Sequence, residues 1–375
     1  KFTPAHKEEV EGLLHGIYSQ YLTETSEARN MDRAKFETLL NQGPLTTSEA
    51  VKGGLVDREA YWDQVQNFFK MRDGKWNPLP LGRYRAFLKD GSGEQVAIVH
   101  ATGLIVSGES ENTPGGGFVM GGDSVASDIR RARNDRDIKA IVLRIDSGGG
   151  SALASEVIRR EVELATAKKP VVVSMSDVAA SGGYWIAMGA NKIVADPDTI
   201  TASIGVLIGK FNISGLYNLL GLSTDYVATS DNATLFSDQQ NFTPTQQAAI
   251  QKSLEETYQN FTRGVASGRH MSIDAVDKIG KGRVWTGAQA KDLGLVDELG
   301  GIDTALGVAK QLAHIPASES VRIVRFPREK TFIEMLVDRQ KDQMSQAQTL
   351  DEMVRHLTRV MDPIQARIPF ELHIQ

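Results

Sequence analysis

Two short stretches carry residue types that can do chemistry. The run VAASGGYW, residues 178–185, sets Ser181 between small residues and a glycine pair, after the apolar run 171–175. The run DSGGG, residues 146–150, places three glycines directly after the apolar run AIVLRI and before a helical pattern. Glycines at a strand-to-helix turn let backbone N–H groups point into a cleft, where they stabilise an oxyanion or hold a phosphate. The plainer reading is a flexible turn. A G-x-x-x-x-G-K phosphate loop is absent, because no Lys-Ser/Thr follows. Ser181 is either a nucleophile at the carboxyl edge of a sheet, with Gly182 offering a second N–H, or a small residue where segments pack closely. It does not fit the G-x-S-x-G elbow, since residue 179 is alanine.

A serine nucleophile needs a neighbour to take its proton, usually His or a neutral Lys. No histidine lies between His100 and His270, which argues against a compact Ser-His-Asp arrangement, and these two read as packing or surface residues. A lysine base must be desolvated to lose its proton near neutral pH. Lys210, just after the apolar run 204–208, is the nearest lysine so placed after Ser181, and it reads as a surface lysine at a strand end.

The elements that must position these residues alternate. Strands are expected at 95–100, 140–145, 171–175, 193–195 and 204–208, and helices at 123–134, 151–168 and 181–189, with a glycine-rich loop at 114–117 and 121–122. Strand and helix in alternation predict an α/β domain with a parallel sheet.

An internal repeat precedes that domain. Phe2-Thr-Pro4 recurs as Phe242-Thr-Pro244, and Gly54-Leu-Val-Asp57 as Gly294-Leu-Val-Asp297, both displaced by 240 positions. Leu14, Tyr18, Arg29, Met31, Thr46 and Ala50 recur at the same displacement without a gap. Each copy starts with an amphipathic helix, carrying Leu13, Leu14, Ile17 and Tyr21 in one and Ile250, Leu254, Tyr258 and Phe261 in the other. The chain therefore reads as the tail of one repeat followed by all of a second, with roughly 150 residues of the first expected upstream of residue 1. The expected domains are 1–75 (tail of the first repeat), 76–93 (a Pro/Gly linker), 94–320 (the second repeat) and 321–375 (a helical appendage).

Composition narrows the class. Of 375 residues 41% are hydrophobic and 24% charged, as in globular proteins, and the net charge of −5 offers no basic surface for nucleic acid. The absence of cysteine excludes disulfides, thiolate metal sites and a thiol nucleophile. No apolar run approaches the roughly 18 residues of a membrane span.

Taken in order, AIVLRIDSGGGSALASE, PVVVSMSDVAASGGYWIA, ITASIGVLIG and the segment from FTP to GRVWTGAQAKDLGLVDELGG resemble the signal peptide peptidase A family, the S49 serine peptidases. The resemblance covers about residues 94–305, and the repeat matches the long, duplicated form. It implies a Clp protease/crotonase-like α/β fold with a mostly parallel sheet, plus the helical tail of a preceding repeat. It makes Ser181 the nucleophile, gives the oxyanion hole to Gly149, Gly150 and Gly182, and places Ser203 beside the catalytic lysine. The family turn reads S-P-G-G, whereas Gly148 stands here in place of the proline. Short members carry the lysine in an S-G-K-Y-K-like segment, which corresponds here to Thr229-Ser-Asp-Asn-Ala233 and holds no lysine. In duplicated members the lysine comes from the first repeat, so the general base is expected upstream of residue 1; Lys1, which pairs with Asn241, stands too near F-T-P.

The implied activity is a Ser/Lys-dyad endopeptidase acting on apolar peptides such as remnant signal peptides, with no metal or cofactor. The alternatives are a catalytically silent, peptide-binding scaffold and the acyl-CoA chemistry of crotonase relatives. The resemblance further implies a homo-oligomer, a tetramer of duplicated chains, held at a membrane by an upstream anchor with its catalytic part outside the cytoplasm.

Overall fold

Why the two copies of the repeat start a helix at the same place is visible in their caps. Thr3 accepts the His6 N–H ahead of α1 (Pro4–Ala28), and the fixed φ of Pro4 suits a first helical turn. The computed structural model describes residues 1–74, 76, 78–87, 91–113, 118–328 and 365–367, so the loop at 114–117 lies outside the described residues. The chain divides into two compact units, Lys1–Gly91 and Ser92–Gln375.

The first unit continues with α2 (Arg33–Asn41), α3 (Thr47–Gly53), α4 (Trp62–Asp73) and α5 (Leu81–Phe87). Its small core is Leu13, Leu22 and Phe36. Leu14 and Tyr21, expected on the apolar face of α1, stand half exposed, because this unit has no sheet among its described residues for that face to cover. The segment expected to be a Pro/Gly linker contains the helical turns of α5.

The second unit opens with β1 (Gln95–Thr102), β2 (Leu104–Val106), β3 (Glu111–Asn112), β4 (Phe118–Gly121) and α6 (Gly122–Asn134). It continues through β5 (Ile138–Ser147), β6 (Gly149–Ser151), α7 (Ala152–Thr166), β7 (Val171–Ala180), α8 (Gly182–Ala187), β8 (Lys192–Ala195), β9 (Ile200–Ala202) and α9 (Ser214–Leu219). The remainder is α10 (Pro244–Arg269), α11 (Ile273–Ile279), β10 (Val284–Thr286), α12 (Gly287–Asp292), β11 (Glu298–Leu299), α13 (Ile302–Leu312), β12 (Arg322–Phe326) and β13 (Gln365–Arg367).

The main sheet runs β10-β9-β7-β5-β1-β12, with β8 on β7 and β11 on β8, and every pairing except β10 with β9 is parallel. Strand β7 forks: residues 172–174 pair with β8 and residues 178–180 with β9. The central strands β1, β5 and β7 are buried on both faces over most of their length, as in parallel sheets covered on both sides, while the edge strand β12 is largely not. Ala97, Val99, Leu143 and Val173 join the core under α6, α7, α8 and α10, while Val96, Ile98, Val142 and Val172 join the core beneath α13. Each fully buried Val, Leu or Ile contributes about 1.5–3 kcal/mol relative to exposure. A second sheet, β13-β6-β2-β4-β3, carries the glycine turn.

Two expectations change here. Residues 204–208 are not a regular strand; the strand is β9, and it stops because Ala202 (φ 64°) and Ser203 (φ 48°) leave the extended region. Arg322–Phe326, expected at the head of a helical appendage, is an edge strand beside β1.

The second copy of the repeat makes the same contacts as the first. Arg29 Nε donates to Gly54 O (3.0 Å) and its guanidinium pairs with Asp57 (2.9 Å); Arg269 Nε donates to Gly294 O (3.1 Å) and pairs with Asp297 (2.9 Å). Thr46 and Thr286 each head a capping box.

Candidate active site

Ser181 stands where β7 ends and α8 begins, with φ 53° and ψ −113°. A non-glycine residue in that region costs on the order of 1–3 kcal/mol and persists only where the surroundings hold it. They do so through its backbone: the Ser181 N–H donates to Ala202 O (2.7 Å), and its carbonyl accepts from Trp185 N–H (2.8 Å). The residue is 1% exposed, and Oγ has no hydrogen-bond partner among the described residues. A buried hydroxyl without a partner forfeits about 1–3 kcal/mol, so its orientation serves something other than stability.

Small residues bring the glycine turn to this serine. Strands β5 and β7 are neighbours with Ser147 opposite Ala179, and α8 packs against both β5 and β6. A Cβ on Gly183 would meet Ser147 O at 2.5 Å, so the second glycine of the pair lets α8 approach the end of β5. Gly150 has φ 153°, and a Cβ there would meet Ile105 O at 2.0 Å.

Ser147, which the sequence marks only as one residue of the turn, organises it. Its Oγ donates to Gly103 O (2.7 Å) and accepts the Gly149 N–H (3.1 Å). The Gly149 N–H, expected in the oxyanion hole, is therefore engaged by Ser147, which leaves Gly150 and Gly182 as the candidate donors.

Ser203 lies beside Ser181. Ala180 and Ala202 are paired across β7 and β9, so the two serines are the next residues of adjacent strands. Ser203 Oγ donates to Gly282 O (3.2 Å) and its N–H donates to Arg283 O (3.0 Å). The loop carrying Gly282 is held by Tyr258, whose hydroxyl donates to Asp277 Oδ1 (2.8 Å) and accepts the Lys281 N–H (3.2 Å). Burial and the Asp277 partner push the Tyr258 hydroxyl up to about 12. A cavity of about 490 Å³ opens beside Ser203, walled by Val206, Leu207, Leu254 and Tyr258.

None of the candidate bases named from sequence bonds to Ser181 Oγ. His100 faces Arg144 across β1 and β5, and His270 caps α10 at φ 56°. Lys210 Nζ is buried, has no hydrogen-bond acceptor among the described residues and lies 4.6 Å from the centre of the Phe242 ring; desolvation holds it below the usual lysine range. Thr229-Ser-Asp-Asn-Ala233 is an exposed loop, tied to α10 by Gln246 Nε2 donating to Asp231 O (3.0 Å).

A forked parallel sheet with a buried serine at the carboxyl end of its central strand is the layout of an α/β fold of the Clp protease/crotonase type. The family model of Peptidase family S49 matches residues 1–75 and 163–316, more than half of the chain, and the chain belongs to that family. It is 36% identical over 332 residues to "Serine protease SPPA, chloroplastic" of Arabidopsis thaliana, covering 85% of this chain and 49% of that protein. It is 37% identical over 352 residues to "Protease 4" of Salmonella typhi, covering 90% and 55%, and 34% identical to "Protease 4" of Haemophilus influenzae, covering 82% and 52%. The chain spans about half the length of these curated relatives. No helix among the described residues is long and apolar enough to cross a membrane.

Proposed function

We propose that this chain carries the nucleophile half of a Ser/Lys endopeptidase that cleaves extended apolar peptides such as remnant signal peptides. The observation that carries the reading is Ser181: a buried Oγ with no partner among the described residues, on a residue held at positive φ beside a glycine turn. Ser181 Oγ attacks the peptide carbonyl carbon while a neutral lysine takes its proton; the oxyanion rests on the Gly150 and Gly182 N–H groups. Collapse breaks the C–N bond, the lysine ammonium protonates the leaving amine, and water then hydrolyses the acyl-enzyme with the lysine again as base. The lysine belongs to a neighbouring repeat of the same fold and settles between Ser181 and Ser203.

Repeats that share a catalytic group must pack side by side. The exposed Phe211, Leu216, Leu219, Leu220 and Leu222 favour such packing, and a tetramer of duplicated chains, membrane-anchored with the site outside the cytoplasm, is the assembly we assign. A silent scaffold is the second reading, favoured by the lack of any hydrogen-bond partner for Ser181 Oγ among the described residues.

A fluorophosphonate probe separates the two. The peptidase reading expects labelling that is lost in Ser181→Ala and hydrolysis of an apolar peptide when a preceding repeat is joined to the chain. A scaffold would label no more than its Ser181→Ala control in either form.

A further inference from the structure

Strand β7 bulges just ahead of Ser181. Ile145 of β5 stands opposite Met175, but Ser147 stands opposite Ala179, so one residue of β5, Asp146, faces three of β7: Ser176, Asp177 and Val178. Two extra residues keep the alternation of faces along the strand while bending it, and the bend is where β7 leaves β8 for β9.

A bulge strips backbone groups of their ladder partners, and side chains take their place here. Half-buried Arg144 reaches across from β5: its Nη1 donates to Met175 O (2.8 Å) and Ser174 Oγ (2.8 Å), and its Nη2 donates to Ser176 Oγ (2.9 Å). All three acceptors lie on β7, and none is a carboxylate. Thr199 Oγ1 donates to Ser176 O (2.7 Å), and the Val178 N–H donates to Asp146 Oδ1 at a long 3.4 Å. Asp146 also belongs to the glycine turn: its carbonyl accepts the Gly103 N–H (2.9 Å), and Gly103 O takes the Ser147 hydroxyl. A guanidinium is a planar fork that meets several acceptors at once, which the point charge of a lysine on its flexible stem does not reproduce.

We infer that Arg144 is a positioning residue: it clamps the bulge of β7 in the shape that delivers Ser181 to the glycine turn, with Asp146 joining that bulge to the turn. Arg144 acts through the backbone of residues 175–180 and not on the reacting atoms. The inference deepens the peptidase reading above and rests on it for the meaning of Ser181.

The test reads the nucleophile and the backbone together. Fluorophosphonate inactivation at Ser181 and amide hydrogen exchange over residues 176–183 are measured for the parent chain, Arg144→Met, Arg144→Lys and Val308→Ala, each well below its melting temperature. Val308, in the core beneath α13, controls for stability lost elsewhere. Arg144→Met is expected to lower the maximal inactivation rate at least tenfold, with little change in the probe concentration giving half that rate, and to raise exchange over 176–183 at least tenfold. Arg144→Lys should fall between, and it decides if Arg144→Met does not fold. Val308→Ala should keep the parental rate. In a parent that labels, the rate decides: parental rates in the Arg144 variants, or an equal loss in Val308→Ala, overturn the clamp and leave the peptidase standing. If the parent takes up no probe, the peptidase reading falls and exchange decides: a rise confined to the Arg144 variants keeps the clamp, and parental exchange overturns it.

Discussion

Ser181 and Ser203 are successive to Ala180 and Ala202, which face each other across parallel strands, and both serines hold positive φ, 53° and 48°. The bond from Ser181 N–H to Ala202 O ties the two turns together at 2.7 Å. Ser203→Gly removes the hydroxyl while keeping a residue that accepts this φ, so the lost hydrogen bond of about 0.5–1.5 kcal/mol is largely offset by relieved strain. Its melting temperature should stay within a few degrees of the parent, while peptidase activity in the repeat-joined chain falls at least tenfold and its pH profile shifts. Unchanged activity and profile would remove Ser203 from the site.

The glycine turn makes a separate prediction. Gly183→Ala would press a methyl group to 2.5 Å from Ser147 O, and Gly150→Ala would set one 2.0 Å from Ile105 O at φ 153°. Backbone cannot yield as a flexible side chain does, so each should cost about 2 kcal/mol or more, read as a lowered urea midpoint at unchanged m-value. Wild-type stability in both would contradict the close approach.

Lys210 is expected to be a bystander. Its ammonium is desolvated and has no acceptor among the described residues. Lys210→Met keeps the length of the stem and discards the buried charge, so thermal melting should show equal or higher stability, and probe labelling of Ser181 should not change. Loss of labelling would make Lys210 the base after all.

The repeated Arg–Asp pair gives a pH test with an internal control. Burial pushes Asp297 up, but the Ile193 N–H, Arg269 and Lys192 outweigh it, and its carboxyl lies below the usual range. A carboxylate with a depressed folded pKa stabilises the protein above its unfolded pKa, and that contribution is lost as pH falls through the folded value. Arg269 is 7% exposed at its side chain, so Arg269→Ala should cost about 3–5 kcal/mol at neutral pH and less as Asp297 protonates. In the first unit Asp57 is 86% exposed, and Arg29→Ala should have little effect at any pH. Chemical denaturation of both variants near neutrality and near pH 3 checks the contrast; equal losses would contradict it.

The alternation of β1, α6, β5, α7 and β7 was legible because apolar period and glycine punctuation agree there. Of the candidate site, Ser181 and the 146–150 turn stand out in the sequence by residue type, whereas Ser203 comes from the family resemblance alone. What was not legible depends on backbone direction. The apolar run at 204–208 imitates a buried strand, but Gly205 lies so close to Gly282 that a Cβ would approach its Cα to 2.7 Å, and the chain turns instead of pairing. Nothing in the turn's composition announces that Ser147 takes the Gly149 N–H, because a hydroxyl's acceptor is set by the tertiary approach of Gly103. The antiparallel β13 falls in a stretch that reads as helical, and the edge of β6 overrides that local pattern.

As proposed above, Ser181 is a nucleophile activated by a lysine from a neighbouring repeat. The most direct measurement is the second-order rate of fluorophosphonate labelling at Ser181, for this chain alone and for the same chain joined to a preceding repeat, each against its Ser181→Ala control. Slow but Ser181-dependent labelling is expected for the chain alone and at least a hundredfold faster labelling when joined, with the gain lost at a pH low enough to protonate the lysine. Equal rates in the two forms, or labelling that survives Ser181→Ala, would contradict it.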